Sequence, residues 1–378
     1  MFDSMFDARI WAAVPFHFWS AVMFAFGSIV GSFLNVVIFR LPRGESLVTP
    51  GSRCPKCDVA IPWHRNLPLI TWLTQRGRCA SCAAPISPRY FLVELVGGVC
   101  FLGSWLKFGG TSPALALVYC VLLSGFIAAT FIDFEHFIIP DEITLGGAVV
   151  GVLLSAVVPA MHDTTLSSRS VLQSLIGIGA GAGVIYAILR LGKLLFGKQR
   201  YELPPDTKVR FEETKLVMPE IEILYEDMFY RPSDTLYVQA QNVSLVLKDL
   251  SGPLPEKTWQ NTTLSLNPNL LKIDEESFNP EEVHSLEVST DLIVIPREAM
   301  GLGDVKFMAA IGAFLGWKAV VFSLMASAVI GSVVGVSLIA LKRQSWSGRL
   351  PYGPYIAVAA TLWVFGAQGW AAKMFPWF

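Results

Sequence analysis

Eight apolar runs divide the chain: roughly Phe16–Phe39, Tyr90–Leu106, Ser112–Ile132, Ile143–Pro159, Val171–Leu189, Val305–Leu315, Ala319–Leu341 and Tyr352–Lys373. A helix needs roughly 20 apolar residues to cross the hydrocarbon of a bilayer. In lipid every backbone polar group must bond within its own segment, so these runs predict helices. The Val305 run is short for a span. Between residues 201 and 297 the pattern changes. Lys208–Glu212, Glu220–Tyr225, Leu236–Gln239, Val243–Leu247, Leu270–Ile273 and Leu292–Ile295 are short and rich in β-formers. Pro204-Pro205, Arg231-Pro232 and Ser251-Gly252-Pro253 separate them as turns. Such spacing predicts a small, mostly β domain.

The expected architecture is an all-α polytopic membrane protein of about eight transmembrane helices. It carries a loop domain between the first two helices and an inserted small β-rich soluble domain. The expected divisions are a first segment and helix at 1–39, a tetracysteine loop at 40–89 and helices two to five at 90–200. The β-rich insert follows at 201–297 and the last three helices at 298–378.

Composition agrees with a lipid environment: 53% of the 378 residues are hydrophobic and 16% charged. Soluble domains carry about a quarter charged residues. The net charge of −1 hides a split. Tyr201–Arg297 holds 18 acids against 8 bases, a balance of −10, and the rest of the chain is +9. Met1–Ile10 carries Asp3 and Asp7 beside a single Arg9, which is not the basic start of a secretory signal, so the first span is expected to be retained. Basic residues orient the spans. The loop from Arg40 to Arg89 carries eight of them and is expected in the cytoplasm, with the N-terminus outside. Threading eight spans then also puts Asp133–Pro140, the insert and the Lys342–Arg349 loop inside.

Cys54-Pro-Lys-Cys57 and Cys79-Ala-Ser-Cys82 are 21 residues apart. Paired C-x-x-C knuckles surround one Zn²⁺ with four thiolates. Four protein ligands leave no open position, so this zinc is expected to be structural. Cys100 and Cys120 lie in apolar runs and read as small core residues.

Two stretches carry acids at the membrane edge. In Asp133-Phe-Glu-His-Phe-Ile-Ile-Pro140-Asp141-Glu142, Pro140 suits the first position of a helix. Asp141 and Glu142 then meet the positive end of its dipole. Asp133 instead closes an apolar helix at its C-terminal end, where a negative charge is disfavoured. In Gly301-Leu-Gly303-Asp304-Val-Lys306, two glycines without Cβ allow a tight turn and a close backbone approach, and Asp304 opens a helix, where capping is its bland role. Two carboxyls at one site can share a proton and divide the roles of acid and base. The competing readings are a transporter using Asp133 and Asp304 as ion or proton sites, and a non-catalytic assembly protein. Gly177-Ile-Gly179-Ala-Gly181-Ala-Gly183 nearly matches a dinucleotide fingerprint. It lies inside an apolar run, where small residues at four-residue spacing serve helix packing.

Gly31-Ser-Phe-Leu-Asn35-Val-Val-Ile-Phe-Arg40-Leu-Pro42 resembles the N-terminal signature of bacterial prepilin peptidases, the type IV leader peptidases. Asn66–Leu73, Pro85-Ile-Ser-Pro-Arg89-Tyr90, Glu94, Asp133…Pro140-Asp141, Gly301–Lys306 and Pro351-Tyr-Gly353-Pro354 follow in family order. The resemblance spans nearly all the chain except Tyr201–Arg297. It implies a GxGD-type aspartyl protease with Asp133 and Asp304 as the catalytic pair, supported by Gly301, Gly303, Lys306 and Pro140. It implies cleavage of prepilin or pseudopilin leaders after a glycine, at the cytoplasmic face of the inner membrane. With the four cysteines kept, it also implies methylation of the new N-terminus from S-adenosylmethionine. The expected partners are these substrates, the lipid bilayer and pilus or secretion assembly machinery, with no nucleic acid.

Overall fold

The computed structural model describes residues 15–196, 198–219, 222–229, 234–248, 256–296, 301–341 and 350–374. Met1–Ile10, the turns at Arg231-Pro232 and Ser251-Gly252-Pro253, and the basic Lys342–Arg349 loop lie outside them. The chain forms two compact units, residues 1–186 with 301–378, and residues 187–300.

The first unit is helical. Its elements are α1 (Phe16–Arg40), the short α2 (Ile70–Thr74), α3 (Pro88–Ser104), α4 (Pro113–His136) and α5 (Asp141–Val157). It continues with α6 (Ser167–Phe196), which runs on into the second unit. Among the described residues, five helices are long and apolar enough to cross a membrane. They are α1, α3, α4, α6 and the Leu302–Ala340 helix. α3 and α4 start on the same signal, a serine before a proline: Ser87 accepts the N–H of Arg89, and Ser112 that of Leu115. The proline costs nothing there, because the first helical N–H has no partner inside the helix. α4 is the central helix and is buried on several faces, by residues such as Ala116, Leu123, Ala129 and Ile132.

Glycines set how closely the helices approach. A Cβ on Gly27 would lie 2.5 Å from the Gly97 carbonyl oxygen, and one on Gly31 would lie 2.7 Å from the Cα of Glu94, so α1 and α3 pack backbone to backbone. On α6, a Cβ at Gly177 would fall 2.0 Å from the Gly312 carbonyl and one at Gly181 2.3 Å from the Met308 carbonyl. Gly179 and Gly183 meet nothing within 4 Å. The fingerprint-like run is therefore a packing stripe with period four, as small residues in membrane helices often are.

The second unit holds an antiparallel sheet of eight strands in the order β3-β2-β1-β8-β4-β5-β6-β7. The strands are β1 (Lys198–Phe211), β2 (Lys215–Val217), β3 (Glu222–Leu224), β4 (Leu236–Leu247), β5 (Lys257–Asn267), β6 (Leu270–Ile273), β7 (Glu276–Phe278) and β8 (Val283–Pro296). A single turn, α7 (Tyr225–Met228), follows β3. Alternate residues face one core, including Leu236, Val238, Val243, Leu264, Val288 and Ile293. That period of two is what a sheet with one buried face requires. Pro204-Pro205 does not end a strand. It sits inside β1, where the pairing with β8 shifts register between Glu202 and Thr207. A residue without an N–H is tolerated at such a bulge.

After the sheet comes α8 (Leu302–Ala340). Gly316 interrupts it at φ 74° and ψ 175°, so two helices meet at a bend between the apolar runs read from the sequence. α9 (Gly353–Leu362) and α10 (Gln368–Met374) flank a π-helical turn with a second non-helical glycine, Gly366.

Candidate active site

The site forms at one end of the helical unit. Asp133 lies in the last turn of α4, where Phe137 takes a left-handed conformation and donates its N–H to the Asp133 carbonyl at 3.0 Å. That cap stops the helix. The next residues run to Pro140, which is the N-cap of α5 at φ −58° and ψ 147°. The sequence reading put Pro140 one position later, inside the helix. The ring fixes φ but leaves ψ extended, so it serves at the boundary itself.

Gly301 is the N-cap of α8, and Asp304 is its third residue. Asp304 is thus in the first turn and not at the capping position. Asp133 and Asp304 are 5% and 9% exposed, so both carboxyls are withdrawn from water. Gly353, whose N–H donates to Asp133, and Gly303, next to Asp304 in sequence, both face Ile139. Ile139 packs between their neighbourhoods: its side chain would touch a Cβ on Gly303 at 3.6 Å and a Cβ on Gly353 at 2.9 Å. A Cβ on Gly301 or Gly303 would meet only ordinary contacts of 3.6–3.9 Å. The close approach expected at those two glycines occurs instead at Gly353, whose Cβ would fall 2.8 Å from Asp133 Oδ2.

Lys306 joins the two acidic stretches. Its Nζ donates to Asp141 Oδ1 and Oδ2 at 2.6 and 2.9 Å, tying the first turn of α8 to the first turn of α5. Asp141 therefore does more than meet a helix dipole. Arg89, at the start of α3, contacts the Glu135 carboxylate two residues from Asp133. This pair brings the cysteine loop to the same end of the unit as the aspartates. Beside α4, α5 and α8 runs an apolar groove of about 320 Å³, with Gly125, Glu142, Ile143, Gly147 and Phe307 in its wall. The edge-to-face pair Phe126–Phe307 lies in this wall, three residues along α8 from Asp304.

The four cysteines sit in two matching knuckles. Cys54 N–H donates to Val59 and Cys79 N–H to Ala84; Asp58 N–H returns to Cys54 and Ala83 N–H to Cys79. Asp58 and Ala83 take the same left-handed turn at φ 54° and 56°. All four Sγ atoms lie within 4.8 Å of one another, and Cys54 and Cys82 are 3.8 Å apart. A tetrahedron with metal–sulfur bonds of about 2.3 Å has edges of about 3.8 Å, so the set fits a metal ion. The backbone favours thiolates here. The N–H groups of Lys56 and Cys57 hold the Cys54 thiol below its usual range. Those of Cys82 and Ser81 pull Cys79 down to about 6. At Cys57 the Val59 N–H acts in the same direction, but burial and the three other cysteines push it up to about 11. Four thiols this close resist full ionisation until a cation joins them.

Other contacts were not legible as functional. Buried Glu94 on α3 accepts the Leu69 N–H at 2.7 Å, and Trp72 of α2 packs on Phe91 at 5.1 Å between ring centroids. Together these dock the segment between the knuckles onto the helices. Asn35 donates to the carbonyls of Gly31 and Tyr90, bridging α1 and α3. Glu94 and Asn35 both lie inside the motifs noted above, but only the folded chain shows what they hold.

A helical membrane unit with two buried carboxyls beside Ile139 and a tetrathiol loop defines a class of membrane protein equipped for acid–base chemistry. Comparison with known proteins identifies the class. Residues 25–108 match the bacterial peptidase A24 N-terminal domain, and residues 120–199 and 285–336 match the type IV leader peptidase family. The break between the last two ranges falls on the sheet. The chain belongs to the type IV leader peptidase family. It is similar to a prepilin leader peptidase/N-methyltransferase of Klebsiella pneumoniae, 35% identical over 195 residues, which are 50% of this chain and 80% of the relative. A protein of the same description from Aeromonas hydrophila is 27% identical over 391 residues, covering 94% of each chain. One from Myxococcus xanthus is 44% identical over 133 residues, 35% of this chain and 39% of the relative. No solved structure matches.

Proposed function

We propose that this chain is a prepilin peptidase that removes the leader of type IV prepilins or type II secretion pseudopilins and methylates the new N-terminus. The observation that supports the reading is the burial of Asp133 and Asp304 near one residue, Ile139, which packs beside Gly353, the partner of Asp133, and beside Gly303, next to Asp304, in a chain of the type IV leader peptidase family. The pair holds one proton between two carboxyls. The ionised member takes a proton from water as that water attacks the scissile carbonyl. The protonated member donates to the carbonyl oxygen, and the proton taken from water passes to the departing amine. Lys306 holds the first turn of the Asp304 helix through Asp141.

In this reading the eight apolar runs are eight spans in the inner membrane, with 40–89, Asp133–Pro140 and the 201–297 insert in the cytoplasm. The bond cut, after the leader glycine, then lies at the cytoplasmic boundary. The apolar groove beside α4, α5 and α8, with Phe307 in its wall three residues from Asp304, suits the apolar segment that follows that bond. Cys54, Cys57, Cys79 and Cys82 hold a structural Zn²⁺. S-adenosylmethionine, when bound, supplies the methyl group transferred to the new amine.

The test is co-expression with a candidate prepilin and mass measurement of the product. A mature chain that has lost its leader and gained one methyl on its first residue supports both activities. Intact precursor would overturn the reading, and a cleaved but unmethylated product would remove its second half.

A further inference from the structure

The stretch Pro351-Tyr352-Gly353-Pro354 enters α9 beside Asp133. The first turn of a helix leaves N–H groups without partners inside the helix. In α9 they are few. Pro354 has no N–H, and those of Tyr355 and Ile356 both return to the Tyr352 carbonyl, at 3.1 and 3.3 Å. No side chain of α9's own N-cap residue accepts the remaining one. Gly353 N–H donates instead to Asp133 Oδ2 at 2.9 Å, across 220 positions of sequence. An acid at the end of α4 thus caps the start of α9, where the dipole favours a negative charge.

This geometry depends on glycine. A Cβ at 353 would lie 2.8 Å from Asp133 Oδ2 and 2.9 Å from Ile139 Cδ1. The Ile139 contact is the free end of a flexible side chain and can yield. The carboxyl cannot yield without leaving its hydrogen bond. Tyr352 pins the loop from the other side, its hydroxyl 3.1 Å from the buried Ser327 hydroxyl on α8.

We propose that Gly353 is the positioning residue of Asp133: its N–H fixes one carboxyl oxygen, and its missing side chain makes the room for that oxygen. The proposal rests on reading Asp133 as a member of the cleaving pair.

The test uses full-length Gly353→Ala and Gly335→Ala in detergent with a purified prepilin. Gly335 is the control, since its Cβ would meet only the tip of Leu350, at 3.2 Å. Gly353→Ala should lose about tenfold or more in kcat, the scale of one hydrogen bond to a charged group, with KM changed less than about twofold. Gly335→Ala should behave as wild type. Wild-type kcat in Gly353→Ala, or an equal loss in Gly335→Ala, overturns the proposal. A second measurement covers a Gly353→Ala protein that is simply unstable. Thermal unfolding is compared among Gly353→Ala, Asp133→Ala and the double variant. If the added methyl collides with the carboxyl, the double variant regains stability relative to Gly353→Ala. Independent effects would overturn the proposal. Asp133→Asn separates the two levels: normal cleavage by Asp133→Asn sinks the functional reading, whereas loss there with normal cleavage by Gly353→Ala sinks only the positioning role.

Discussion

Replacing Gly177 by alanine adds one methyl group where α6 crosses α8. That methyl would start 2.0 Å from the Gly312 carbonyl oxygen and 2.6 Å from its carbon. Carbon–oxygen contacts between packed helices settle at about 3.3 Å or more, so the backbones must part by about 1.3 Å. Both groups at the collision are main chain, so no rotamer change relieves it. Overpacking of this kind costs about 1–3 kcal/mol. Gly179→Ala is the matched control on the same helix, since its methyl meets nothing within 4 Å. Exchanging glycine for alanine inside a helix gains about 0.5–1 kcal/mol when space is free. The two variants should therefore differ by about 1.5–4 kcal/mol, in opposite directions from wild type. Thermal unfolding in one mild detergent reads this directly, as a lowered midpoint for Gly177→Ala and an unchanged or raised one for Gly179→Ala. Gly181→Ala adds a functional readout. Its methyl would start 2.3 Å from the Met308 carbonyl, one turn from Asp304. It should impair cleavage more than Gly177→Ala does. Equal midpoints for Gly177→Ala and Gly179→Ala would refute the close crossing of α6 and α8.

Three other expectations follow from contacts elsewhere. Elemental analysis should find one zinc per purified chain, with the ion lost in Cys54→Ser and on acidification, because protons compete for the thiolates; a full chain with no metal and two disulfides would contradict the tetrathiol site. Lys306→Ala and Asp141→Ala should be coupled by no more than about 1 kcal/mol in stability, since both side chains reach solvent, 37% and 55% exposed; their effects on cleavage should be larger and non-additive, and additive losses would deny that the pair aligns the site. His162, in the turn after α5, is held neutral because burial lowers its pKa, against the pull of Asp163. The unfolded chain then binds the proton more readily, so this contribution to stability is complete above pH about 6.5 and lost as pH falls toward the folded pKa. His162→Gln should flatten that part of the stability profile, and an unchanged slope would refute it.

The long helices were readable because lipid imposes one demand, an unbroken apolar run, and Ser-Pro pairs marked two of their starts. The packing role of the α6 glycines was also readable, but period four fits Gly179 and Gly183 as well as Gly177 and Gly181, and only the folded chain shows which pair meets α8. The sheet was harder. β5, Lys257–Asn267, is mostly polar and buries only Leu264 and Leu266, so nothing in it stands out from loop. β4 is one strand despite the break expected near Ala240, because the register slips there without ending the pairing with β8. At the site, the sequence singled out Asp133 by its misplaced charge at a helix end, and Asp304 only as a second acid at the membrane edge; their burial is visible only in the fold. Gly353 was not, because its role is to lack atoms near a carboxyl 220 positions away. Glu94 and Leu69 were hidden for the same reason: a buried acid paired with a distant backbone N–H leaves no local pattern.

The most direct measurement is cleavage of a co-expressed prepilin by Asp133→Asn and by Asp304→Asn, each confirmed to insert in the membrane at wild-type level. Asparagine keeps the shape but can neither ionise nor pass on a carboxyl proton. The account predicts only uncleaved precursor with either variant. Mature product at the normal rate from either one would show that the two acids do not work as a pair.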